Sequence, residues 1–259
     1  MRAHIMNLLR SFAVALFVLS GVVPAVGFAS ETHVKLDRAP IDPNDVVSLQ
    51  RGAHTFVNYC LNCHSASYMR YNRLQDIGLT EKQIHENLVF TGVKVGELMK
   101  TAMDPRDAKE WFGTAPPDLT VVARSRSSGA GSGSDWLYTY LRTFYRDPTR
   151  PTGWNNVVYP NVAMPHALWQ LQGEQVMAEA KEQAEGYMKT VEKLKIDKPG
   201  TMKPVEYDQL VADLVNYMTY MSEPARHQRV TIGLYALLVI FILIALSYAL
   251  KKAYWKDVH

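Results

Sequence analysis

Cysteine is almost absent from this chain: its 259 residues hold two, Cys60 and Cys63. A zinc site would need a second ligand pair at a comparable spacing, and the nearest histidines, His54 and His85, stand isolated. A thioredoxin-like C-x-x-C should follow a strand in an α/β pattern, and no such pattern surrounds this pair. Charge of one sign is also scarce, with 28 Lys and Arg against 25 Asp and Glu for a formal +3. Removing residues 1–29 takes away Arg2 and Arg10 and no acid, which leaves +1. No broad basic field exists, so nucleic acid is not an expected partner. No internal repeat is present either.

What the chain does have is Cys60-Leu61-Asn62-Cys63-His64, the C-x-x-C-H signature of covalent haem c attachment. Residues at i, i+3 and i+4 share one face of a helical turn. Two thiols and one imidazole therefore point at one object. The thiols can add to the two haem vinyl groups, and His64 can supply the proximal nitrogen to the iron. Attachment consumes both cysteines and leaves neither a free thiol nor a disulfide. A single motif implies a single haem.

The two ends suggest a compartment. Residues 1–29 carry Arg2 and Arg10, an apolar run from Phe12 to Val23, and small residues at Gly27 and Ala29. That is the plan of a secretory signal peptide cut after Ala29, with Gly27 the alternative site. A retained anchor is the competing reading, but the run is short for a span of about 20 residues. Val230 to Leu250 has no charged residue and is long enough to cross a hydrocarbon core of about 30 Å. Tyr254 and Trp255 sit where an interfacial aromatic belt belongs, and Lys251, Lys252 and Lys256 follow the span. A slight positive-inside bias puts the tail, 251–259, in the cytoplasm. The expected order is signal peptide 1–29, periplasmic haem domain 30–229, transmembrane anchor 230–250 and tail. The about 200 residues between the apolar segments suffice for one domain with its own core.

Within that domain the pattern predicts an all-α, cytochrome c-like fold with loop excursions. Asp42-Pro43-Asn44-Asp45 marks a helix start, and Leu49, Ala53, Phe56 and Cys60 recur near helical spacing. Gly52 sits inside this helix, where glycine costs about 1 kcal/mol relative to alanine. A close helix crossing would justify it. The partner is a helix over 205–221, with Leu210, Leu214, Tyr217, Met218 and Met221 in one stripe. Arg124–Ser134 reads as a flexible surface loop, followed by an aromatic helix from Asp135 to Tyr145. Glu174–Lys195 reads as a solvent-facing helix or helical hairpin.

A six-coordinate haem needs a second axial ligand. Among 11 methionines, most serve as core gap-fillers. Met164 differs, because it lies in Asn161-Val162-Ala163-Met164-Pro165-His166, between turn signals rather than on a helix stripe. Pro165 would fix the backbone beside it. His166 competes locally, and Met99, Met103 and Met202 compete more weakly; spacing leaves this choice open.

At this point the segments resemble a known family, cytochrome c1, the haem subunit of the cytochrome bc1 complex, in a bacterial form. They are CLNCHSASYMRYNRL, APPDLTVVARSR at Ala115–Arg126, DWLYTYLRTFYRDP, NVAMPHALW and MSEPARHQR, followed by the C-terminal anchor, in the family's order. The resemblance implies Met164 as the sixth ligand, Pro116 and Pro117 lining the haem edge, and Arg124 paired with a haem propionate. Trp136 falls where the family often has tyrosine, so indole N–H would replace a hydroxyl there. It further implies cytochrome b beside the anchor, a Rieske iron–sulfur protein as donor, and cytochrome c as acceptor. A dimeric bc1 complex in the bacterial inner membrane and contact with lipid follow from the same likeness. The chain itself would carry an electron and do no bond chemistry. Two other readings compete: a cytochrome c domain of a terminal oxidase, normally anchored at its N-terminus, and a haem sensor with a displaceable sixth ligand.

Overall fold

The structure is a computed structural model that describes residues 34–177 and 194–256. The signal-peptide reading of 1–29 lies outside the described residues, as do most of 174–195 and the last three residues of the tail.

Helix α1, Val46–Thr55, starts where the sequence says it should: Asp45 Oδ1 accepts from Ser48 N at 3.0 Å. That bond satisfies one of the orphan N–H groups of the first turn. The helix runs on to Cys60, but its last turn, Phe56–Cys60, widens to π geometry, with Leu61 N donating to Phe56 O at 3.0 Å. Such turns re-aim the residues after them and recur at functional sites; this one delivers the chain to the cysteines.

The long helix of the domain runs from Pro204 to Ser222 and buries Tyr207, Val211, Leu214, Val215, Tyr217 and Met218. It crosses α1 at Gly52, where a Cβ would collide with the Asp213 carbonyl. The expected close crossing is therefore present, and its glycine is required by backbone contact. The ion pair Arg51 Nε–Asp213 Oδ2 at 2.6 Å and the Phe56–Tyr217 ring contact at 5.6 Å flank it.

Between these helices the chain forms 3₁₀ turn Tyr71–Ile77, α2 (Glu81–Leu88), α3 (Pro105–Phe112), α4 (Val122–Ser125), α5 (Gly133–Arg142) and α6 (Trp169–Gln172). The long helix is thus α7. Three two-stranded antiparallel ribbons attach to the helices: β1 (Ala66–Arg70) with β2 (Leu98–Met99), β3 (Phe144–Arg146) with β4 (Trp154–Asn156), and β5 (Gly173–Met177) with β6 (Leu194–Pro199). The haem-domain fold is the helical one expected, with these ribbons as its excursions.

Two local expectations change. Arg124–Ser134 is not a free loop: Ser128 and Gly131 pair across a tight turn, and Gly133 packs so closely that a Cβ would meet the Ala123 carbonyl. Ser132 Oγ accepts from Asp135 N at 3.1 Å, and Asp135 Oδ2 accepts from Ser132 N at 3.2 Å. The polar, glycine-rich string is thus a reciprocal helix cap. Nor are the ends of Glu174–Lys195 helical. Glu174 to Met177 and Leu194 to Lys195 are strand, and Glu174 accepts from Arg146 Nη2 and Lys198 Nζ at 2.9 and 3.0 Å.

Helix α5 is fixed to its surroundings by Arg142. Its guanidinium reaches Asp208 at 2.6 and 3.0 Å and Asp37 at 2.9 Å, and lies 4.3 Å over the Tyr138 ring. Helix α8, Arg226–Tyr254, follows α7 after a short turn. Its apolar stretch, Gln228–Tyr254, is 27 residues long with none of its apolar window buried. At 1.5 Å per residue that is about 40 Å, more than the hydrocarbon core requires.

Candidate functional site

The C-x-x-C-H segment closes in a turn: Cys63 N and His64 N both donate to Cys60 O, at 3.1 and 2.8 Å. This places the two thiols and the imidazole on one turn, with the thiols unbridged and half-buried and His64 buried. Burial pushes the Cys60 thiol up to about 12. Burial also lowers the His64 pKa, keeping the ring neutral. Its Nδ1–H donates to the Pro117 carbonyl at 2.8 Å. That bond selects the tautomer and leaves Nε2 with its lone pair for a metal, as backbone carbonyls do for metal-bound histidines.

Pro117 is held for this task by the residues after it. Leu119 N donates to Ser65 O at 2.8 Å. Asp118 Oδ2 accepts from Ser67 N at 2.7 Å, and Asp118 Oδ1 from Thr120 N at 2.8 Å. Burial pushes the Asp118 carboxyl up, but hydrogen bonds from the Thr120 hydroxyl and the Ser67 and Thr120 backbones hold it below the usual range. The segment Pro116–Thr120 is therefore laced to the residues directly following His64. Thr101 adds a second tie, donating through its hydroxyl to Asn62 O at 2.7 Å.

A second cluster forms around Met164. The Tyr140 hydroxyl donates to Met164 Sδ at 3.4 Å. Trp136 stacks on the Tyr140 ring at 4.7 Å and 14°, and the Arg126 guanidinium lies 4.6 Å over Trp136 and 5.6 Å over Tyr159. Trp136 lies in this cluster, with Arg126 as its cationic neighbour. Arg124 is exposed on α4 and enters neither cluster. Cys60, Trp136 and Met164 all pack against the same core.

Two of the four competing axial ligands, His166 and Met99, have partners elsewhere. His166 is 2% exposed, bonds Gln172 Oε1 through Nε2 at 2.7 Å, and stacks on Phe144 at 4.8 Å and 4°. Burial, partly offset by the Gln172 bond, lowers its pKa to about 4. Met99 is fully buried and takes its hydrogen bond from Tyr217. Met164 instead sits on a turn pinned from outside: Arg150 donates to Asn161 Oδ1 and O at 3.2 and 3.0 Å, and Asn155 Oδ1 accepts from Asn161 N at 2.8 Å.

Sequence reasoning did not assign Tyr140, Arg126, Asp118, Arg150 or Asn161. Tyr140 had a signal, since it lies four residues after Trp136 and so on the same helix face. The others depend on tertiary approach. The donor set fits haem c: two unbridged thiols, a neutral imidazole with its other nitrogen occupied, and a thioether outside the helix stripes.

Fold and site together define a membrane-anchored c-type cytochrome, a helical haem domain with one C-terminal spanning helix. Residues 37–258 match the profile of the Cytochrome C1 family. The chain is 46% identical over 252 residues to "Cytochrome c1" of Allochromatium vinosum, covering 97% of this chain and 100% of that one. It is 50% identical over 238 residues to "Ammonia monooxygenase gamma subunit" of Nitrosomonas europaea, covering 92% and 95%. The mitochondrial "Cytochrome c1, heme protein" of Schizosaccharomyces pombe is 26% identical over 83% of this chain and 68% of its own. The chain belongs to the cytochrome c1 family. It is accordingly an electron-transfer subunit of a bc1 complex, with covalently bound haem c and a single-pass anchor in α8.

Proposed function

We propose that the haem of this chain is attached through Cys60 and Cys63 and ligated by His64 and Met164. When bound, it supplies a one-electron couple at the iron. Cys60, Cys63, His64 and Met164 would hold that group, and a haem ligated on both faces would carry an electron rather than bind a substrate. His64 is oriented by Pro117 O, and the Met164 thioether, which favours ferrous iron, is steadied by Pro165 and the Asn161 turn. Pro116 and Pro117 line the edge of the group beside His64. The propionate partner is Arg126, because its guanidinium already lies over Trp136 while Arg124 faces solvent.

In this reading, one electron arrives from a Rieske iron–sulfur protein and one leaves to a cytochrome c. The anchor packs on cytochrome b in a dimeric complex. The haem domain, residues 30–229, lies on the periplasmic side of the inner membrane after removal of 1–29. The lysines after α8 support that orientation. The observation that carries the ligand assignment is the Met164 thioether, free of the core stripes and met by a buried hydroxyl at 3.4 Å.

Quinol-driven reduction of the haem in native membranes, with terminal oxidases blocked, tests the pathway. Reduction abolished by an inhibitor of the quinol-oxidation site supports it. Reduction indifferent to that inhibitor moves the chain to the oxidase side. Met164→Leu tests the ligand: the potential should fall sharply, and an unchanged potential rejects the assignment.

A further inference from the structure

Tyr140 marks Met164 as a ligand candidate, and its hydroxyl has a further consequence for the iron. Tyr140 is 8% exposed, and its ring is held on two sides, by Trp136 stacked at 4.7 Å and by Phe144 edge-on at 5.0 Å. Its backbone is fixed too, because Asn156 Nδ2 donates to Tyr140 O at 2.8 Å. The hydroxyl so positioned donates to Met164 Sδ at 3.4 Å.

A thioether sulfur has two lone pairs and accepts hydrogen bonds weakly. Given to a sulfur that also ligates iron, the bond withdraws electron density from the ligand. The poorer donor stabilises ferric iron less than ferrous iron, so the potential rises. Hydrogen bonding around the ligands is one of the protein's levers on haem potential. A like pair occurs inside the core, where Tyr217 meets the fully buried Met99 at 3.7 Å. That one can only pack. Met164 differs in lying half-buried on a turn held by Arg150 and Asn155.

We infer that Tyr140 is a positioning residue that sets the haem potential high through its hydrogen bond to the Met164 thioether. This rests on the assignment of Met164 as axial ligand, and the test separates the two. In the intact complex, the haem would be titrated potentiometrically in wild type, Tyr140→Phe and Tyr138→Phe. The far-red thioether-to-iron charge-transfer band of the ferric protein would be followed alongside. Tyr140→Phe should keep the band and lower the reduction equilibrium constant two- to fivefold, about 20–40 mV at 59 mV per decade. Tyr138→Phe should leave the potential alone. Fluorotyrosine at position 140, a stronger donor of nearly the same size, should move the potential upward. Opposite signs for removal and strengthening are not produced by a purely structural role.

A band absent from wild type overturns the ligand assignment. With the band present, three results overturn the inference: an unchanged potential in Tyr140→Phe, an equal drop in Tyr138→Phe, or a fluorotyrosine shift downward. Loss of the band in Tyr140→Phe also overturns it, since the hydroxyl would then be anchoring the ligand rather than tuning it.

Discussion

Asn161 has φ 63, the sole non-glycine among the described residues with positive φ. It stands three residues before Met164 and takes both Arg150 bonds. Asparagine tolerates the left-handed region far better than a β-branched residue does. Asn161→Ile should therefore destabilise the protein by about 1–2 kcal/mol, while Asn161→Gly should cost less because glycine takes that conformation freely. Denaturant midpoints of the two variants, compared with wild type, check the order. At this scale the sequence showed part of the site. Cys60, Cys63 and His64 are legible because their spacing is a covalent requirement. Arg124 and Arg126, two residues apart, look equivalent in the sequence, and only packing puts a ring under Arg126.

At the scale of elements, the α1–α7 crossing organises the domain. Gly52 is the residue it cannot do without, since a Cβ there would meet the backbone of Asp213 rather than a movable side chain. Gly52→Ala gains about 1 kcal/mol of helix propensity, whereas overpacking costs about 1–3 kcal/mol. A collision with backbone belongs at the upper end, so a net loss of about 1–2 kcal/mol is expected, read as a lower denaturation midpoint. Both helices were legible from their apolar spacing and from Asp45. The ribbon β5–β6 was not. The sequence of Glu174–Lys195 as a whole is charged and alanine-rich and so favours helix, but Glu174 is drawn into an ion-pair set with Arg146 and Lys198 that strand pairing makes possible. The glycine-rich turn before α5 misled for the opposite reason: Gly133 serves contact with Ala123, not freedom.

For the whole molecule, α8 contributes nothing to the core of the haem domain. Its apolar window is unburied, and one exposed ion pair, Arg229 with Glu223 at 2.6 Å, joins its first turns to the end of α7. Such a pair is worth about 0–1 kcal/mol. A chain stopped after Ala225 should therefore leave the membrane fraction and keep its covalent haem. Its unfolding free energy should match that of the full chain within about 1 kcal/mol. Fractionation with haem staining, followed by denaturation of the soluble product, measures both. A truncated chain that aggregates or loses its haem would mean that α8 supports the domain as well as tethering it.

The amino-acid sequence by itself determined the covalent motif, the two crossing helices, the spanning helix and the family, because each is written in local spacing or in an unbroken apolar run. Tertiary structure alone decided which polar groups serve the site. The Pro117 carbonyl orients His64 across 53 residues, and the Tyr140 hydroxyl reaches Met164 across 24. Gln172 occupies Nε2 of His166. Periodicity records which face of an element is buried, but the partner that each polar atom meets there is fixed when the elements pack.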